Sequence, residues 1–316
     1  MQPDIEGLHH VTALASNARV NNAFFTGLLG LRRVKTTVNF DAPDVYHLYY
    51  GDRVGTPGSV VTYFPFERAQ RGRSGPGAVA ETAFVAPRGS LDAWHDRIAS
   101  SGLAVVDSER PFGDRGLRFE GPDGERLVLV EDDVAGALGP HALQVWSTGD
   151  VGPELAIRGF HSVSLSLRDI GPERELLAEM GYETVAHEGA TTRMRVRRGG
   201  RGAALIDLSA DPNAPAAIQG AGSIHHIAFA VADAAAQVRV RELIAGLGFQ
   251  VTPQIDRDYF RAVYFRTPGG ILFEVATNLP GFLRDEPVET LGQYLKLPTQ
   301  HQHLRPSLEQ TLPPLE

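Results

Sequence analysis

Four stretches of this chain follow one plan. Each opens with a strand-like run, passes through a helical run that stops at a glycine before a large apolar residue, and closes in further strand-like runs. The stops are Gly30-Leu31, Gly102-Leu103, Gly181-Tyr182 and Gly248-Phe249, where glycine suits the left-handed turn that ends a helix. Turn residues recur before or within the closing strands as Pro57-Gly58, Pro122-Asp123-Gly124, Gly199-Gly200 and Pro268-Gly269-Gly270. The modules run roughly over 7–66, 80–131, 159–209 and 223–278. A connector over 132–158 is punctuated by Gly136, Gly139-Pro140, Gly149 and Gly152-Pro153. The expected class is α+β: four βαβββ modules paired into two domains, each a strongly curved mixed sheet with helices outside. The N-terminal half, 1–150, holds modules one and two. The C-terminal half, 151–316, holds modules three and four and a Pro-rich, partly helical tail.

Module four carries the plan most clearly. Ile224 to Val231 and Gly270 to Ala276 read as strands, rich in β-branched and aromatic residues. Asp233 is placed to cap a helix in which Ala236, Val240, Leu243, Ile244 and Leu247 share a face. Strand alternation puts His226, Ala228 and Ala230 on one side, and the small residues leave room beside the imidazole. Glu274 lies in an otherwise apolar strand, and a buried carboxylate there needs a partner such as a metal ion.

The opening His225-His226 has one counterpart, His9-His10 in Gly7 to Leu14. Module two has Thr82 at this position and no carboxylate in Arg126 to Val130. Module three has Ser162 there, with Asp207 near the Glu274 position but no histidine beside it. One ligand set is therefore complete: His10, His226 and Glu274. Two imidazoles and a carboxylate make a facial triad whose open positions suit a non-haem Fe(II) that binds substrate and O2. The same nitrogen and oxygen ligand set accepts Mn(II). For these residues to meet, module one must pack beside module four, leaving modules two and three to pair with each other.

Composition bounds the function. The 316 residues carry a formal net charge of -8, which argues against a nucleic-acid partner. The absence of cysteine excludes disulfides, thiolate nucleophiles and cysteine metal sites, and suits a reducing cytoplasm. Met1 to Glu6 lacks the features of a signal peptide, and no apolar run approaches a membrane span, so a cytoplasmic protein without a membrane partner is expected. Whether it forms a homo-oligomer is left open. The Gly- and Arg-containing run over 67–78 lacks phosphate-loop spacing and reads as surface. His301 and His303 read as solvated tail residues.

The whole pattern resembles the vicinal oxygen chelate superfamily, which includes glyoxalase I and the extradiol dioxygenases. Within it, the chain is similar to the hydroquinone ring-cleaving dioxygenases. The resemblance spans nearly the whole chain. It rests on Gly7 to Thr12, Val38 to Asp41, Tyr46 to Asp52, Asp256 to Phe260 and Gly281 to Pro287, together with the HHIAFAV and ILFEVAT strands. It implies Fe(II) held by His10, His226 and Glu274. It also implies that His9, Thr12, His225, Arg257 and Tyr264 meet a small aromatic diol. Thr12 shares the His10 face by alternation, whereas His9 and His225 fall on opposite faces and need a bulge to turn inward. Taken alone, Arg257 between Asp256 and Asp258 reads equally as an ion-paired loop, and Tyr264 as packing.

The expected activity is cleavage of a para-hydroquinone ring by O2. Two other enzymes fit the ligand set: a glyoxalase-type isomerase or lyase, and a catechol extradiol dioxygenase. The isomerase commonly uses a second carboxylate. The module-one position aligned with Glu274 falls near Tyr63, which is no acid. A non-catalytic binding protein would have the same pocket without turnover.

Overall fold

The computed structural model of the protein describes residues 4–132, 143–199 and 203–316. Gly136, Gly139-Pro140 and Gly200, assigned above to the connector and a turn, lie outside the described residues, as do Met1 to Pro3. The strands are β1 Leu8–Ala15, β2 Arg32–Val38, β3 Tyr46–Gly51, β4 Val60–Pro65, β5 Ala78–Ala86, β6 Val105–Glu109, β7 Arg115–Glu120, β8 Arg126–Glu131, β9 Phe160–Leu167, β10 Tyr182–Glu188, β11 Thr191–Val196, β12 Leu205–Ala210, β13 Ile224–Val231, β14 Ile255–Asp256, β15 Arg261–Arg266 and β16 Leu272–Thr277. The helices are α1 Ala18–Ala23, α2 Leu91–Ser100, α3 Gly171–Glu179, α4 Ala234–Gly246 and α5 Arg305–Thr311.

Two curled mixed sheets of eight strands result, ordered β14-β15-β16-β13-β1-β4-β3-β2 and β10-β11-β12-β9-β5-β8-β7-β6. The first sheet draws its strands from residues 8–65 and 224–277. In each sheet two parallel pairs, β1/β4 and β13/β16 or β5/β8 and β9/β12, are joined by one antiparallel contact, β1/β13 or β5/β9. The α+β class read from the repeats holds.

Local chemistry accounts for the element ends. Gly30, Gly102, Gly181 and Gly248 all have positive φ, the conformation that lets each helix stop and the chain turn back to its sheet. The Asp233 carboxylate accepts a 2.9 Å hydrogen bond from the Ala236 amide and caps α4. Ser90 has no such role at α2; its hydroxyl donates to the Pro87 carbonyl at 2.6 Å and shapes the preceding turn. The first helix is short because its path widens into a π-turn over Phe24–Leu28.

One apolar core runs beneath both sheets. It includes Phe25, Tyr50 and Tyr63 of the first repeat, Phe84 and Phe160 of the second sheet, Trp94 of α2, and Phe229 and Phe273 of the last repeat. The tail is tied back to the first sheet at Lys35. This side chain is fully buried, pairs with Glu286 and with Asp285 at 2.6 Å, and lies over the Tyr259 ring. A buried ammonium needs such partners, which is why the acidic pair follows Gly281–Arg284. No helix among the described residues is long and apolar enough to cross a membrane.

Candidate metal centre and active site

The site forms on the inner face of the first sheet, where its two halves meet. His10 from β1, His226 from β13 and Glu274 from β16 converge there. His226 Nε2 lies 2.9 Å and His10 Nε2 3.5 Å from Glu274 Oε2, and the two Nε2 atoms are 3.4 Å apart. All three side chains are buried, Glu274 completely. Neither Glu274 oxygen has a hydrogen-bond partner, although both imidazoles are close. Close nitrogen–oxygen approaches out of line for hydrogen bonding are what ligand atoms aimed at one shared point produce. An orphaned carboxylate in an apolar interior is costly, and one divalent cation would satisfy all three groups. The residues therefore fit a metal ion. Burial acts to raise the Glu274 pKa, but the facing His10 and His226 hold it well below the usual carboxylate range. Burial also lowers the His226 pKa, against the pull of Glu274. Both tendencies favour the metal-ligating forms, carboxylate and neutral imidazole.

Two β-bulges arrange the adjacent histidines. The β1/β13 ladder pairs Leu8 with Phe229 and His10 with Ala228, which leaves His9 as the extra residue. Three rungs on, it pairs Thr12 with His226 and Ala13 with Ile224, which leaves His225 as the extra residue. The bulges break the alternation of an ideal strand, so both members of each His-His pair reach the same side. His9 Nδ1 is 2.9 Å from His10 Nδ1, and His225 Nδ1 is 2.8 Å from His226 Nδ1. With Nε2 of each inner histidine facing the ligand cluster, its Nδ1 carries the proton and donates it to the outer histidine. Such a bond fixes ring and tautomer for metal binding. Burial and the neighbouring His10 lower the His9 pKa to about 3; burial and His226 lower that of His225 to about 4. Both outer rings are thus neutral acceptors. His9 also packs against Phe260, away from the cavity. His225 lines the cavity.

The ligand cluster opens into a cavity of about 390 Å³. Leu14, Phe64, Phe66, Phe260 and Leu272 make its apolar wall. Arg257 and Tyr264 stand on the β15 side. The turn from β14 to β15 presents Arg257 by pinning its neighbour: Asp258, at φ 63°, pairs with Arg284 at 2.9 Å and accepts hydrogen bonds from Thr299. Asp256 accepts the Asp258 amide at 2.8 Å. The flanking acids therefore serve the turn and leave Arg257 to the cavity. Its guanidinium lies 5.2 Å from the Phe40 ring centroid, 5.5 Å from that of Tyr264 and 3.3 Å from the exposed Asp41. Tyr264 is the rung partner of Glu274. Burial and that carboxylate raise its pKa well above the ordinary value, so it remains a neutral phenol.

Thr12 sits outside the cavity lining, fully buried, and accepts a 2.9 Å hydrogen bond from Thr62. The residue matching Glu274 in the first repeat is this Thr62, next to Tyr63 and, as expected there, no acid. Thr62 pairs with Thr12, two residues past His10, as Glu274 pairs with Ala228, two past His226. Tyr63 faces the other way and donates to buried Glu125 at 3.2 Å. His301 is half-buried, with Nε2 2.8 Å from the Phe40 carbonyl at the cavity rim, so it is more than a solvated tail residue. His47 and Tyr49 also line the cavity. Both lie in the Tyr46 to Asp52 motif, where period-2 spacing puts them on one face, but neither neighbours a histidine pair.

The second sheet has no such cluster among the described residues. Asp207 pairs with Ser164 as Glu274 pairs with Ala228, so it stands at the Glu274 position. Arg193, its rung partner in place of Tyr264, binds it through two hydrogen bonds of 2.7 and 2.8 Å. A guanidinium there neutralises the buried carboxylate.

A family model described as the Glyoxalase/Bleomycin resistance protein/Dioxygenase superfamily matches residues 7–129 and 174–275. The chain belongs to this superfamily. Among relatives of this superfamily member, MhqO of Bacillus subtilis (strain 168), a candidate ring-cleaving dioxygenase, is 40% identical over 311 residues, 98% of this chain and 96% of that one. The chlorohydroquinone/hydroquinone 1,2-dioxygenase of Sphingobium indicum is 33% identical over 314 residues, 98% of this chain and 96% of that one. A crystal structure of a candidate dioxygenase from Bacillus subtilis matches with a TM-score of 0.93 at 40% identity, covering 99% of this chain and 98% of that one. The superfamily fold thus extends over both sheets.

Proposed function

We propose that this chain is an Fe(II)-dependent ring-cleaving dioxygenase that acts with O2 on a para-hydroquinone, substituted or not. The observation that carries the reading is the convergence of His10, His226 and a hydrogen-bond-free Glu274 at the base of an apolar cavity with a cation and a phenol beside it. The hydroquinone dioxygenase among the relatives supports the substrate class. The same ligands would hold Mn(II).

Bound there, Fe(II) supplies open coordination positions for a phenolic oxygen and O2, and the electron transfer that lets the two react. The chain's own residues do the rest. A phenol entering this site ionises, its proton leaving to solvent, and His225, whose Nδ1 accepts from His226, offers its Nε2–H to an oxygen in the cavity. Arg257 balances the negative charge that remains on the ring oxygen, and Tyr264 offers a phenolic O–H to the same region. His9 holds the His10 ring, and His225 the His226 ring, in the ligating orientation. The Phe and Leu walls exclude water and grip an aromatic ring. A glyoxalase-type isomerase with two carboxylate ligands is disfavoured, because Thr62 stands where the second acid would be.

The test is anaerobic reconstitution with Fe(II), followed by O2 uptake on methylhydroquinone, a chlorinated hydroquinone and 3-methylcatechol. Faster uptake on the hydroquinones is expected. A clear preference for the catechol would refute the substrate assignment, and no uptake on any would refute the oxygenase.

A further inference from the structure

His47 and Tyr49 project from β3 into the cavity on the wall opposite Arg257 and Tyr264. The opposition follows from strand order. Tyr264 is the rung partner of Glu274 on the β16 side, and Tyr49 is the rung partner of Thr62 on the β4 side. The two tyrosines hold equivalent rungs, and β16, β13, β1 and β4 lie between them. The ligand cluster belongs to β16, β13 and β1, so it sits nearer Tyr264. A ring whose first oxygen lies at that cluster points its far side toward β3 if it extends across the curled sheet, where strands are about 4.8 Å apart.

The hydrogen bonds on this wall run in one direction. Thr62 Oγ1 donates to Thr12 Oγ1 at 2.9 Å. Its hydrogen being committed, Thr62 can only accept from His47 Nε2, 2.8 Å away. His47 therefore carries its proton on Nε2 and presents a bare Nδ1, and Tyr49, whose oxygen is 2.8 Å from that nitrogen, must donate to it. Tyr49 is left with its O–H used and its oxygen lone pairs available. Both threonines are fully buried and Tyr49 almost so, which holds the chain in this order.

We propose that Tyr49, oriented by His47 and Thr62, accepts a hydrogen bond from the distal hydroxyl of a 1,4-diol and so selects a para substituent that carries a donor hydrogen. The proposal rests on the ring-cleavage reading of the site and adds the group that recognises the second oxygen. Tyr49 on this reading discriminates by hydrogen-bond polarity: an O–H fits, whereas an ether or carbonyl oxygen meets a lone pair. His47 and Thr62 are positioning residues.

Binding can be read without turnover. Hydroquinone, phenol and 4-methoxyphenol are titrated calorimetrically into the Fe(II)-loaded protein under anaerobic conditions, for the wild type, Tyr49→Phe and His47→Gln. In His47→Gln the side-chain amide would still donate to Thr62 but would offer no acceptor at the Nδ1 position. Wild type should bind hydroquinone about tenfold tighter than phenol or 4-methoxyphenol, the worth of one buried hydrogen bond. That preference should fall to about onefold in Tyr49→Phe and be reduced in His47→Gln, with phenol affinity and iron content unchanged. A preference that survives Tyr49→Phe overturns the anchor while leaving ring cleavage standing. A wild type that binds none of the three phenols overturns the ring-cleavage reading and the anchor with it.

Discussion

Thr62 holds, beside β1, the rung that Glu274 holds beside β13: Thr12 pairs with Thr62 as Ala228 pairs with Glu274. This one difference makes the site asymmetric. The His-His pairs are repeated in both halves, but only one half supplies a carboxylate. A metal held there has a single charged protein ligand, and the other half of the cavity is free to carry the Tyr49–His47–Thr62 chain.

The ligand assignment predicts metal loss on substitution. Glu274→Gln removes the one charged ligand and His226→Ala one of the two nitrogens, and each should weaken metal binding more than about 100-fold, beyond the 10- to 100-fold effect of groups that only orient ligands. Metal content after gel filtration, measured by plasma mass spectrometry, checks this. Stoichiometric metal in both variants would show that the cluster is not the binding site.

The outer histidines should separate by function. His9 lies off the cavity and acts through His10, so His9→Phe, which keeps the ring volume and loses the acceptor, should lower metal affinity about 10- to 100-fold. Saturating metal should then restore much of the turnover. His225 also faces the cavity, and His225→Phe should stay slow with metal fully bound. If added metal rescues both variants alike, His225 has no role beyond holding His226.

Arg257→Ala and Tyr264→Phe should retain iron, because neither residue is among the converging atoms. Each should reduce kcat/KM on hydroquinone by roughly 10²-fold, the usual cost of one preorganised electrostatic partner. Parallel measurement of O2 uptake and iron content decides it; wild-type rates in both would remove these residues from the chemistry.

Stability of the metal-free protein should depend on pH in a defined direction. Burial lowers the pKa of His9 and His161 to about 3 and that of His225 to about 4, each from 6.5. These groups are neutral when folded and take up protons on unfolding. Their contribution is complete above pH 6.5 and is lost as pH falls toward 3 or 4, at about 1.4 kcal/mol per pH unit for each histidine. His161 lies in the second sheet, away from the metal ligands, so it isolates the effect. Urea midpoints between pH 7 and 4.5 should fall for the wild type and fall less steeply for His161→Phe. Parallel curves would show that His161 is not held neutral.

Arg193 and Asp207 should be coupled. Arg193→Met removes the two-bond partner of a buried carboxylate and should cost about 3–5 kcal/mol, whereas Arg193→Met with Asp207→Leu should recover most of the loss. Chemical denaturation of the two single variants and the double variant measures the coupling. Independent, additive losses would argue against the pair.

The sequence by itself determined the repeat, the helix-ending glycines and the residue types of the candidate ligands. Positive φ at Gly30, Gly102, Gly181 and Gly248 is a local demand that only glycine meets at low cost, and so it is visible in the residue. The His-His pairs and a lone Glu in an apolar strand are visible for a similar reason, since such groups are costly to bury without a purpose. What only the tertiary structure decided is the register. Bulges at His9 and His225 depend on how β1 meets β13 across more than two hundred residues, and a shift of one residue turns a side chain to the other face. The same register fixed the match for Glu274, near Tyr63, as Thr62 and brought His47 and Tyr49 into the cavity wall. It also separated His9, which lies behind His10 off the cavity, from His225, which faces the cavity. Two residues that each open a His-His pair differ in this way because strand pairing is a non-local interaction, set by the partner and not by the strand alone.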